Sequence, residues 1–264
     1  MLRGVLTRPV SQTGVELHGR APYHLPHTKE ANVDREIFGL SSMATRPTLV
    51  ELSGHIRLAF GLPVRFESAG GVEIARRVRE GAEADLLVLA DGSLAKLEQE
   101  GHLFEGTVRP LWISEVATAV PEGAPVPALG SESDLRAALL SAKSTAYSTG
   151  PSGTALIDLI TRLGLGDDLA DRLGRAPPGV PTGSMLSSGQ AHLAFQQHSE
   201  LMDLPGVVIV GPLPGDTAIS SAFSGRALAC SAQPGRAGEV LDLLGSDVAS
   251  TTARARGMRT AGDG

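Results

Sequence analysis

The chain is poor in cysteine, in aromatic residues and in positive charge, and each shortage removes a class of answers. Cys230 is the only cysteine among 264 residues. No intrachain disulfide can form, no cysteine-based zinc cluster can be built, and a lone thiol fits a reducing compartment. Aromatic residues make up 3% of the chain, too few for a base-stacking platform or an aromatic sugar site. A formal net charge of −6 argues against a nucleic-acid partner, whose phosphates demand Lys and Arg. No apolar run reaches the ~18 residues that a membrane span requires. The G-x-S-x-G elbow of serine hydrolases, the P-loop lysine and the dinucleotide-binding glycine spacing are all missing. What remains, with 42% hydrophobic and 20% charged residues, is a folded globular protein long enough for two lobes with a core each.

The first 34 residues read as a polar arm containing Pro and His, and regular patterning starts at Arg35. The arm either has no fold of its own or packs on a neighbouring subunit. It lacks the ~7–15-residue apolar segment of a secretory signal, so a cytoplasmic location is expected.

From Arg35 onward strands and helices alternate. "EIFGLSS" predicts a strand, and Leu49, Leu52, Ile56 and Phe60 then fall near helical spacing, with Pro47 in the first turn and Gly61 as the stop. "PVRFES" and "AGGVEIARRVREG" repeat the strand–helix unit. "ADLLVLA" is the continuous apolar run of a strand covered on both faces, and "DGSLAKLEQEGHL" follows as a helix with Ser93 as its expected N-cap. After the long strand-like stretch "VRPLWISEVATAVPEG", a second alternating set runs through "STAYS", "HLAFQQ", "GVVIVGPLP" and "ISSAFSGRALACSA". "GRAGEVLDLLGSDVASTTARARG" closes as one helix. The reading is an α/β protein of two Rossmann-like lobes joined by two crossing strands. Lobe 1 comprises residues 35–114 plus 215–264, and lobe 2 residues 115–214.

Four strand-to-helix junctions carry small or hydroxylated residues: Ser41-Ser42, Ser68 to Gly71, Ser148 to Gly153, and Thr182 to Ser184. In open parallel sheets, ligands bind beyond the carboxyl ends of the strands. Helix starts there present unpaired N–H groups and partial positive charge, small residues let the backbone approach, and hydroxyls add donors. A single such turn is an ordinary helix cap. Four of them, divided between two lobes, predict donors on both walls of one cleft and a small anionic ligand.

These stretches also carry a resemblance. "LSSMATRP", "FESAGGVEIARRVREGAEADLLVLA", "YSTGPSGTAL", "PPGVPTGSMLSSGQAHLAFQQHSELM" and "GPLPGD" are similar to the type II periplasmic-binding-protein fold. They most resemble its molybdate-receptor branch, which includes aconitate isomerase, across roughly residues 35–258. The resemblance implies ligand contacts at Ser41, Ser42, Ser68, Ser148, Ser152, Val180, Gln196, Gln197 and Ser199, and Gly70 and Thr149 in the same small-residue turns are further ligand-binding candidates. Where molybdate receptors typically place a tyrosine, this chain reads "FQQHSE". The implied activities are an isomerase shifting a proton on an unsaturated polycarboxylate or, alternatively, a solute-binding receptor or sensor for an oxyanion or carboxylate. No cofactor or metal is expected for either. Proton transfer needs a clamp and a base. Arg46 is the candidate cationic clamp. The candidate bases, in order, are His198, whose ordinary pKa lies near neutrality, Glu200 and Glu67.

Overall fold

The first lobe forms because three strands, of which the third is wholly apolar, each lead into a helix with one buried apolar face. In the computed structural model, which describes residues 35–106 and 108–260, these strands are β1 (Ile37–Ser42), β2 (Val64–Ala69) and β3 (Leu86–Ala90). The helices that follow them are α1 (Arg46–Phe60), α2 (Gly71–Arg79) and α3 (Asp91–Gln99). β1 lies between β2 and β3 and runs parallel to both, with Ser41 opposite Ser68. The apolar run of β3 is buried on two faces. Leu86 and Val88 join the core beneath α1, while Leu87 and Leu89 join the one beneath α2 and α3. This is the alternation expected of a strand sandwiched between helix layers. Gly61 ends α1 with φ 64°, a left-handed conformation that costs glycine little. Phe60 departs from the expected apolar face: it is exposed and meets His55 edge to face.

β4 (Arg109–Pro121) is a 13-residue strand that serves both halves of the sheet. As far as Glu115 it pairs antiparallel with β9 (Ser220–Ala227), and from Val116 with β7 (Leu193–Gln197). It also pairs with β8 (Val207–Pro212) and, near its start, with β10 (Met258–Thr260). The segment from β8 to β9 is the second crossing, tied to β4 by Val116 N–H donating to the Ile219 carbonyl at 2.8 Å.

The second half holds α4 (Glu132–Ser141), β5 (Thr145–Tyr147), α5 (Pro151–Arg162), α6 (Gly166–Leu169), β6 (Leu173–Arg175), α7 (Thr182–Ser187) and α8 (His198–Leu201). β5 is parallel to β6 and β7. Leu193 and Phe195 of β7 point into the core under α4 and α5, and Ala194 into the one under α7.

The crossing strands are antiparallel, so the sheet is mixed, and only the three outer strands of each half form the parallel units that the β-α alternation predicts. Two local expectations are corrected. The closing helix is two helices, α9 (Pro234–Leu244) and α10 (Asp247–Ala255), because Ser246 caps a new start by accepting from Ala249 N–H. Ser93 is the third residue of α3 rather than its cap, the cap being Ala90. The three-residue strands β6 and β10 are too short to leave an alternation in the sequence. The expectation for the N-terminal arm lies outside the described residues.

Leu87 is wholly buried against α2 and α3. Leu87→Ala is expected to cost about 2–5 kcal/mol by lost transfer energy and cavity formation, measured as a lower urea midpoint with an unchanged slope. A cost below ~1 kcal/mol would contradict this packing.

Candidate functional site

The parallel strands of both halves end at one cleft, lined from both sides by strand ends and helix starts. Each end delivers its own chemistry. After β1, Ser42 caps the short 3-10 turn Met43–Thr45, its Oγ accepting from Ala44 N–H, and lines the cleft. After β2, Gly70 and Gly71 open α2 with no side chain between its first N–H groups and the cleft. After β5, Ser148, Thr149 and Gly150 lead into α5, and the Ser148 and Ser152 hydroxyls share a 3.0 Å hydrogen bond. Gly153 is dictated by this turn, since a Cβ there would sit 1.8 Å from the Ser148 carbonyl oxygen. After β6, Gly179, Val180 and Pro181 form the wall ahead of α7.

The floor comes from β7. Gln196 is buried, and its Oε1 accepts from both the N–H and the Oγ1 of Thr182, each at 2.7 Å. A backbone N–H can only donate, so the amide has a single orientation, and its Nε2 donates to Glu200 Oε2 at 2.6 Å. Gln197 is also buried. One end of its amide bonds Ser221 Oγ at 2.9 Å and the other, Oε1, has no partner.

Glu200 is the only ionisable side chain among the described residues that line the cleft; no Lys, Arg or His does so. Burial pushes its carboxyl from the ordinary 4.5 up to about 7, against the hydrogen bond from Gln196, which favours the ionised form. It therefore exchanges a proton near neutrality in a wall otherwise made of uncharged residues, hydroxyls and amides set among apolar side chains.

The structure brings together Ser42, Gly70, Ser148, Thr149, Ser152, Val180, Gln196, Gln197 and Glu200. The other candidates lie elsewhere. Ser41 and Ser68 face each other across β1 and β2 and share a 2.7 Å hydrogen bond, so they tie strands and do not line the cleft. Ser199 is buried, and its Oγ donates to the Ala44 carbonyl at 2.7 Å, locking α8 to the turn after β1. Glu67 lies on the surface, bonded to Arg77 at 2.6 Å, which holds its carboxyl below the ordinary value and makes it a poor base. His198 packs beside Gly257 and away from the cleft; burial lowers its pKa, with Glu115 opposing. Arg46 lines a neighbouring cavity. Ala90 and Ser93 at the β3-to-α3 junction, and Ser221 and Phe223 on β9, line the cleft without having been anticipated. The strand-end rule covers the first pair. Nothing in the local sequence marks the second, which is brought in by the crossing strand. Among the described residues, no group of three or more His, Cys, Asp or Glu side chains is placed to hold a metal ion. No described helix is long and apolar enough to cross a membrane.

The sequence profile of the bacterial extracellular solute-binding proteins matches residues 39–259. The chain belongs to this family. Among solute-binding relatives, the periplasmic molybdate-binding protein of Azotobacter vinelandii superposes with a TM-score of 0.72 at 20% identity, covering 84% of this chain and 98% of that one. The sulfate-binding protein SubI of Mycobacterium tuberculosis H37Rv superposes with a TM-score of 0.70 at 15% identity, covering 86% and 88%. These likenesses show the two-lobed solute-binding fold. By sequence, the chain is 29% identical over 226 residues to an aconitate isomerase from a Pseudomonas species, covering 83% of this chain and 86% of that one.

Two outcomes follow from the site geometry. Gly153→Ala drives a Cβ into backbone and is expected to lower stability by ~1–3 kcal/mol and to displace Ser148; a variant as stable as the parent would refute the close approach. Between pH 4.5 and about 7 the folded chain keeps a proton on Glu200 that the unfolded chain has lost. The stability contributed by this group is therefore full at low pH and falls as pH rises through that window. Glu200→Gln removes the dependence, so calorimetry should show its melting temperature gaining on the parent's as the pH is raised from about 5 to about 8.

Proposed function

We propose that this protein is an isomerase that moves a proton between carbons of an unsaturated polycarboxylate, with Glu200 as the base. The observation that carries the reading is one half-buried, neutral-range carboxylate set in a cleft of hydroxyls, amides and helix starts. Such a carboxylate is matched to proton abstraction near neutral pH, and the surrounding donors suit the carboxylates of the substrate and the charge that develops on them. Glu200 takes a proton from the carbon next to the double bond. The C–H electron pair becomes the new double bond, the old one shifts its electrons towards the far carbon, and Glu200 returns the proton there. Gln196 acts as a positioning residue. It holds Oε2 of Glu200 and leaves Oε1 for the carbon. The relationship to an aconitate isomerase supports the reaction class.

The second reading is a receptor or sensor for a compact oxyanion. It is favoured by the absence of cationic side chains from the described cleft lining, since neutral donors alone suffice for a small desolvated anion, and by relatives that bind molybdate and sulfate.

Incubation with cis- or trans-aconitate in deuterated water separates the two. The isomerase is expected to yield the other isomer carrying deuterium at the new C–H position. Turnover should rise with pH through about 7 as Glu200 ionises, and Glu200→Gln should lower kcat by about 10²–10⁴-fold. Tight binding of an anion with neither isomerisation nor exchange would hand the case to the receptor. In that event affinity should improve below about pH 7, where a protonated Glu200 donates to the anion and no longer repels it.

A further inference from the structure

A second, more open cavity of about 400 Å³ adjoins the cleft and shares Met43, Pro181 and Glu200 with it. Its character is different. Val50, Met202 and Leu204 give it an apolar wall, and two arginines reach it, Arg46 and Arg256. Arg256 is already committed, to Glu51 at 2.9 Å and Asp203 at 3.1 Å. Arg46 is exposed and has no hydrogen-bond or ion-pair partner among the described residues. It also stands at the first position of α1, a 15-residue helix with no acidic residue in its first turn. A cation there adds to the positive end of the helix dipole, an unfavourable placement that an anion would relieve. The cleft thus lacks a cation, while the chamber on the other side of Glu200 holds an uncompensated one.

We propose that the second cavity is the distal acid-binding subsite of the same ligand. One carboxylate of a polycarboxylate would occupy the hydroxyl-lined cleft, another would pair with Arg46, and the carbon between them would face Glu200. The inference rests on the isomerase reading and narrows its substrate class. The ligand must carry two acid groups on opposite sides of the reacting carbon, and a compact anion such as sulfate needs only the first chamber.

Titration calorimetry with trans-aconitate and with sulfate tests it, on the full chain and on Arg46→Ala and Val50→Trp. The first variant removes the cation. The second fills the cavity from an exposed position. Both are expected to weaken trans-aconitate binding by about 10- to 100-fold, the loss of a charge-assisted contact, while changing sulfate binding less than about twofold. Arg46→Ala should melt no lower than the parent without ligand, since it removes an unfavourable charge. If the parent chain isomerises trans-aconitate and both variants keep its affinity and KM, the subsite is wrong and the isomerase stands. Equal weakening of both ligands would also overturn the subsite. A parent chain that neither binds nor isomerises trans-aconitate would overturn both.

Discussion

The cleft depends on β4. This one strand is hydrogen-bonded to β9 up to Glu115 and to β7 from Val116, so the two halves of the sheet share a backbone and their parallel strands end facing each other. Along it, Trp112 is buried in the core of the first half, and Val116 and Val120 in that of the second. Each of these large apolar side chains contributes roughly 1.5–3 kcal/mol on burial, and each half therefore holds its strand ends rigid up to the point where the chain crosses. The Ser199 hydroxyl bonded to the Ala44 carbonyl adds a buried polar tie across the same junction.

On this frame the cleft presents no cationic side chain among the described residues, and its polar groups are helix starts, hydroxyls and a pair of buried amides. The carboxylate that shares the space is kept near neutrality by its own desolvation. Gln196, fixed from behind by Thr182, decides which oxygen of that carboxylate is occupied. A group able to hold or release a proton beside uncharged hydroxyls and amides is what makes a binding fold a candidate for proton-transfer chemistry. Arg46, exposed and without a partner among the described residues, lines the adjoining cavity.

Much of this was legible in the chain. Period-2 runs, helical apolar spacing and the glycine and serine punctuation located the main strands and helices, because each is set by local backbone preference and by a face that must be buried. The same punctuation marked Ser42, Gly70, Ser148 and Ser152, since small residues at strand ends carry a local signal. The failures also have a common cause. Ser41 and Ser68 look like cleft residues, but register places them opposite each other, where they satisfy one another. His198 looked the better base by its ordinary pKa, yet it is turned towards Gly257 while Glu200, two residues on, meets the cleft.

The sequence by itself determined the fold class, the order of its elements and the small, hydroxylated residues at the strand ends of the cleft, because these follow from short-range pattern and composition. Only the tertiary structure decided which side chains share the cleft, that Ser221 and Phe223 enter it from a crossing strand, that Glu67 is spent on Arg77, and that Arg46 faces a chamber of its own. Those outcomes depend on strand register, helix rotation and desolvation. Each is a property of chain segments far apart in sequence, and none is written in the residues on either side of the group it governs.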